Sequence, residues 1–174
     1  MTWYAAFLRG VSPMNLKMPE LKLALEGAGF GDVKTLLSSG NVVFGARRAT
    51  DVAIERKVEA AIEKYVGKKF GVIVRSIEEL QALLDAQPFQ AFRLPAEAKR
   101  VVTFLRAAPK TKLALPAERD GARIWAVRGR DVLSAYTRSD KGPVFMTLIE
   151  KTFGKDVTTR TWDTVTKVAR AGAG

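Results

Sequence analysis

The chain has 174 residues, 47 % of them hydrophobic, so it can bury a core of one large or two small domains and is not globally disordered. It contains neither Cys nor His. That excludes disulfides, thiol chemistry, Cys/His zinc sites and any Ser-His-Asp or Cys-His catalytic pair, and leaves acid–base work to Asp, Glu, Lys or Tyr. The net charge is +11, and it is uneven: 12 basic and 10 acidic residues in 1–86 give +2, whereas 17 basic and 8 acidic residues in 87–174 give +9. A basic half favours polyanions or phosphorylated ligands, or is simply an Arg-rich surface.

Trp3 to Leu8 is a short apolar, aromatic-rich run that predicts a buried strand, stopped by Arg9-Gly10. It follows no basic n-region or cleavage-like site, and no apolar run approaches the ~18 residues of a membrane span. The expectation is a cytoplasmic protein with no membrane contact. A loop over Val11 to Lys17 contains Ser12-Pro13 and Asn15. Pro19 suits the first position of a helix, Leu21, Ala24, Leu25 and Ala28 share one face, and Gly29 stops it.

Val33 to Ser38 and Val42 to Phe44 are strand-like runs flanking Gly40-Asn41, two residues that tolerate the positive φ of a tight turn. A helix follows from about Asp51 to Val66, with a stripe of Ile54, Val58, Ala61, Ile62 and Tyr65, ended by Gly67. Phe70 to Val74 is a strand. Ser76 and Glu79 form a capping box for a third helix whose Ile77, Leu80, Leu83 and Leu84 face the core.

The order strand, helix, strand, strand, helix, strand is the split arrangement called ferredoxin-like, an α+β fold with an antiparallel sheet and its helices on one face. Gln87 to Ala98, with Pro88 and Pro95, is a connector. Beyond it, Val101 to Leu105, Ile124 to Val127, Val132 to Tyr136 and Val157 to Arg160 are strands. Val144 to Phe153 is a helix ended by Gly154, and a last helix runs from about Trp162 to Arg170 before a fraying tail at 171–174. Lys110 to Glu118 is a weak helix or a loop between Pro109 and Pro116. The second half thus repeats the first in degraded form, giving subdomains 1–86 and 87–174, with Arg160 in the place of Arg75.

Several stretches carry a family likeness: Phe7-Leu8-Arg9-Gly10-Val11, Lys17-Met18-Pro19-Glu20-Leu21, Gly29-Phe30, Ser39-Gly40-Asn41-Val42-Val43-Phe44 and Thr158-Thr159-Arg160-Thr161-Trp162-Asp163-Thr164-Val165. Together they resemble the DUF1697 family, small bacterial α/β proteins of unknown function. The resemblance spans nearly the whole chain and implies a fold, one domain made of both halves, and a site on these loops, without an activity. The sequence departs from the family twice. The loop Val11-Ser12-Pro13-Met14-Asn15 lacks the family's further glycines, which weakens a phosphate cradle of backbone N–H groups there. Thr161 stands where the family usually has Asn.

The candidate ligand-binding residues are Arg9, Gly10, Asn15, Lys17, Ser39, Gly40, Asn41, Arg160, Thr161, Trp162 and Thr164. Arg160 lies at a strand end before a helix N-terminus, where exposed N–H groups and the helix dipole favour an anion, and a guanidinium adds a bidentate contact to phosphate or carboxylate. Thr161 and Thr164 supply hydroxyls, or Thr161 is an ordinary N-cap. Trp162 is a stacking surface or a core anchor. Ser39-Gly40-Asn41 is a site or turn chemistry alone. Glu150, Asp156 and Asp163 are too scattered for a metal site, and no cofactor or catalytic residue is assigned.

The leading expectation is binding of a small phosphate- or carboxylate-bearing ligand. The alternatives are an RNA-binding module, using Arg123, Arg128, Arg130 and Arg138 interleaved with Trp125 and Tyr136, and a ligand-free protein-interaction domain.

Overall fold

The N-terminal apolar run forms β1 (Thr2–Leu8), followed by α1 (Met18–Gly27), β2 (Gly31–Leu36), β3 (Asn41–Ala46), α2 (Asp51–Val66), β4 (Val72–Ser76) and α3 (Ile77–Asp85). A short 3-10 turn at Pro88–Ala91 leads to β5 (Lys99–Leu105), β6 (Ala117–Arg119), β7 (Ala122–Arg128), β8 (Asp131–Tyr136), α4 (Val144–Phe153), β9 (Val157–Thr161) and α5 (Trp162–Ala173). The structure is a computed structural model that describes residues 1–110, 112–139 and 141–173. It is an α+β fold with two antiparallel sheets and, among the described residues, five α-helices. By internal contact it has two units: Met1–Asp85 with the stretch from Thr166 on, and Ala86–Val165. No helix among the described residues is long and apolar enough to cross a membrane.

In the first unit the strand order is β2-β3-β1-β4, and every neighbouring pair is antiparallel. Tyr4, Ala6 and Leu8 of β1 share a core with Leu21 and Leu25 of α1 and Ile54, Val58 and Ile62 of α2. The alternate residues Ala5 and Phe7 are also fully buried, so from Tyr4 to Leu8 β1 is apolar and buried at every position instead of alternating. Each fully buried Leu or Phe in this core contributes about 1.5–3 kcal/mol. Phe30 and Phe44 meet with ring centroids 4.6 Å apart. α2 is bounded as its ends require: Thr50 Oγ1 accepts from the Ala53 amide at 3.2 Å, and Gly67 closes it in the left-handed conformation at φ 81°.

β4 is an edge strand, and the unit covers that edge with acidic side chains. The amide of Val74 donates to Glu55 Oε2 at 2.9 Å and that of Val72 to Glu59 Oε1 at 3.2 Å, both from α2. Main-chain donors that would recruit a foreign strand are thereby occupied. α3 packs against β1 and β4 and starts at Ser76, whose Oγ accepts from the Glu79 amide at 3.1 Å and donates to Glu79 Oε1 at 3.3 Å.

The second unit has the order β6-β7-β8-β5-β9. Its run β7-β8-β5-β9 repeats the connection pattern of β2-β3-β1-β4, with α4 in the place of α2. Phe145, Leu148 and Ile149 of α4 pack on Ile124, Val132 and Val157, and Tyr136 stacks on Phe145 at 4.9 Å. Of the weak helix or loop expected over Lys110 to Glu118, the described residues form the loop, up to the start of β6 at Ala117. Pro109 and Pro116 bracket an irregular connector, and the described chain re-enters order as the short strand β6, paired with β7; Thr111 lies outside the described residues. The C-terminal helix extends past the expected Arg170 to Ala173, so residues 171–173 are helical; Gly174 lies outside the described residues.

Candidate functional site

The sheet order of the first unit sets its candidate residues side by side. β1 is paired with β3 so that Phe7 faces Asn41, which puts the chain leaving β1 against the β2–β3 turn. The Leu8 amide donates to the Gly40 carbonyl at 2.9 Å, and the Arg9 amide donates to the Gly71 carbonyl at 2.8 Å. Three segments therefore converge on one end of the unit: the Arg9 to Lys17 loop, the Ser39-Gly40-Asn41 turn and the Lys68 to Gly71 approach to β4. Gly40 is required there. It sits at φ +87°, and a Cβ would lie 3.0 Å from Leu8 Cβ and from Val11 Cγ2.

The polar side chains of this end divide by what they already bond. Asn15 closes its own loop: its Oδ1 accepts from the Ser12 amide and its Nδ2 donates to the Gly10 carbonyl, both at 2.8 Å. Asn41 is fully buried, and its Nδ2 donates to the Leu36 carbonyl at 3.0 Å and to Ser39 Oγ at 2.9 Å. Asn41 is thus not a turn residue with positive φ, as the Gly-Asn pairing suggested. The left-handed positions are Leu37, at φ 59°, and Gly40, while Asn41 opens β3 and staples the turn through its amide. Lys17 is exposed and occupies the N-cap of α1, which has no side-chain cap bond, and Arg9 is half-buried. Lys68 and Lys69, on the approach to β4, are exposed cations that no local sequence signal ties to this end of the unit.

In the second unit Arg160 lies on the edge strand β9, opposite Val102 of β5. Its Nη1 donates to the Thr159 carbonyl at 2.9 Å. Burial lowers its pKa from the ordinary guanidinium range to about 10, because desolvation disfavours the charged form. Thr161 caps α5: its Oγ1 accepts from the Thr164 amide at 3.3 Å and donates to Thr164 Oγ1 at 3.0 Å. Trp162 meets Phe89 edge-to-face at 5.1 Å. The hydroxyls and the indole of this group are thus engaged in capping and packing, and Arg160 is its charged member.

The arginine-rich hairpin separates into two faces. The Arg123 guanidinium lies over the Trp125 ring at 4.5 Å, and Phe92 stacks on the same indole at 5.0 Å. Tyr136 stacks instead on Phe145, and Arg128 and Arg138 are exposed. Phe89 and Phe92, in the connector, were not singled out by sequence, nor was Arg100, whose guanidinium lies 5.9 Å from the Phe89 ring centre. Also unforeseen is a cavity of about 710 Å³ in the first unit, lined among others by Trp3, Lys34, Arg48 and Glu78. Among the described residues no three acidic side chains converge to hold a metal ion.

The two antiparallel sheets and their helices define an α+β protein. The family model described as a protein of unknown function, DUF1697, matches residues 1–132, and the chain belongs to that family. No curated protein matches it in sequence. The conserved bacterial protein SP0830 from Streptococcus pneumoniae has a similar structure, with a TM-score of 0.71 over 100 % of this chain and 99 % of that one, at 19 % identity. At that identity the likeness concerns the fold alone.

Proposed function

We propose that the chain binds a small anionic ligand, bearing a phosphate or a carboxylate, at the Arg9 end of the first unit. Arg160 is a cationic position of its own on the second unit. The observation that carries this reading is the convergence of three segments, registered by the Leu8–Gly40 and Arg9–Gly71 hydrogen bonds. Arg9, Lys17, Lys68 and Lys69 lie on these segments, with Lys69 3.9 Å from Glu63. The first turn of α1 opens there without a side-chain cap bond, and the positive end of the helix dipole adds to the attraction for an anion. Binding sites commonly sit on loops that a scaffold holds in place. The test is calorimetric titration with inorganic phosphate, a sugar phosphate and citrate, using wild type, Arg9→Ala and Arg160→Ala. Saturable binding at millimolar concentration or tighter, weakened at least tenfold by Arg9→Ala, supports the reading; no heat, or equal binding in wild type and Arg9→Ala, refutes it.

A second reading, RNA binding, draws on the basic excess of the second unit, where Arg128 and Arg138 are exposed. Nucleic acid is attracted by such basic side chains. Its mark is affinity that falls steeply with salt.

A further inference from the structure

Two side-chain donors in the second unit are shielded from solvent and find no acceptor among the described residues: Arg123 Nε and Trp125 Nε1. Native proteins pair nearly all such groups, because a buried donor without an acceptor keeps the whole cost of losing water. These two are neighbours by construction. Ile124 pairs with Ser134 and Ala126 with Leu133, so Trp125 is the extra residue of a β-bulge and has no opposite number on β8. Bulges redirect side chains and recur beside sites. Both groups also have neighbours that orient them. Arg123 Nη2 is bound to Glu118 Oε2 at 3.2 Å, the guanidinium lies on the indole, and Phe92 stacks on that indole.

Arg123 and Trp125 line a cavity of about 210 Å³ together with Arg93, Pro95, Glu118 and Thr137. We propose that this cavity is a binding site for a small monocarboxylate, whose oxygens accept from Arg123 Nε–H and Trp125 Nε1–H. A carboxylate is planar and has two acceptors to offer two fixed donors. Two arginines against one glutamate leave the lining with a single positive charge, which suits a monoanion and disfavours a phosphate dianion beside Glu118. The volume is below the usual range for drug-sized ligands. A nucleobase would have to displace Phe92 or Arg123 to stack on Trp125. This site is separate from the one at Arg9.

The test follows the indole N–H resonances of 15N-labelled protein during titration with benzoate, acetate and inorganic phosphate. The three Trp signals are assigned by loss in Trp125→Phe, Trp3→Phe and Trp162→Phe. Benzoate should shift the Trp125 N–H signal saturably and downfield, leave Trp3 and Trp162 in place, and bind at least tenfold more weakly to Arg123→Lys, which keeps the charge and removes Nε. Arg9→Ala should leave this titration unchanged, so failure here and failure of the Arg9 site are distinguishable. The proposal is overturned by no saturable shift, by equal affinity in Arg123→Lys, or by a Trp125 shift produced by short RNA and not by carboxylates.

Discussion

Arg75 and Arg160 hold one posture in two different sheets. Each sits on an edge strand that runs straight into a helix, opposite Ala5 and Val102 respectively. Each turns its Nη1 back to the carbonyl of the preceding residue, Val74 at 3.0 Å and Thr159 at 2.9 Å. Each is followed by a hydroxyl that caps the next helix, Ser76 and Thr161. They differ in burial: Arg75 is 1 % exposed, whereas Arg160 is half-buried. The two sheets therefore share a single side-chain geometry, with a fully buried arginine in one and a more accessible one in the other.

The depressed pKa of Arg160 has a consequence for stability. Burial lowers the pH at which the folded protein gives up this proton to about 10, while an unfolded chain holds it to a higher pH. Between those values the unfolded state binds more protons, so raising the pH favours the fold through this group. Urea unfolding of wild type and Arg160→Gln should show a constant stability difference from pH 7 to 9. Above about pH 10 the wild type should gain relative to the variant. A difference that stays flat to pH 11, or moves the other way, would show that burial does not set this pKa.

Gly40→Ala should lower stability by about 1–3 kcal/mol in urea unfolding, since it combines a left-handed backbone with overpacking against Leu8 and Val11. The amide cross-peaks of Leu8 and Asn41 should move with it. A neutral Gly40→Ala would mean that the turn and the chain leaving β1 are not in contact.

Glu55→Ala should cost about 1–3 kcal/mol, because it strands the Val74 amide on the edge of the sheet. Hydrogen exchange at that amide should rise while the β1–β3 ladder stays protected. Unchanged exchange at Val74 would contradict the capping role.

Two substitutions should stabilise. Ser134 and Thr158 are buried, and their hydroxyls have no hydrogen-bond partner among the described residues. Ser134→Ala and Thr158→Val keep the packing shape and remove an unpaired polar group, so each should be neutral or raise stability by about 1 kcal/mol. A loss above roughly 1 kcal/mol for either would show that its hydroxyl has an acceptor after all.

Local pattern was enough for most elements, because the apolar spacing of α1, α2 and β1 and the Ser76 cap are written in neighbouring residues. It misread Asn41, since a short amide suits both a left-handed turn and a buried staple, and only the partner carbonyl of Leu36 decides between them. It was ambiguous over 110–118, where two prolines override a faint helical spacing. The juxtaposition of Arg9 with the β2–β3 turn depends on pairing β1 with β3, contacts distant in sequence. So do the role of Glu55, which reads as the polar flank of a helix, and the meeting of Phe92 with Trp125.

The most direct measurement of the central claim is a thermal-shift comparison of sugar phosphates, nucleotides, citrate and short RNA at low and high salt, on wild type, Arg9→Ala and Arg160→Ala. At least one small anion should raise the melting temperature in a way that survives high salt and is lost in Arg9→Ala. Stabilisation by RNA alone, abolished by salt and indifferent to Arg9, would contradict it and favour the basic second unit as a nucleic-acid surface.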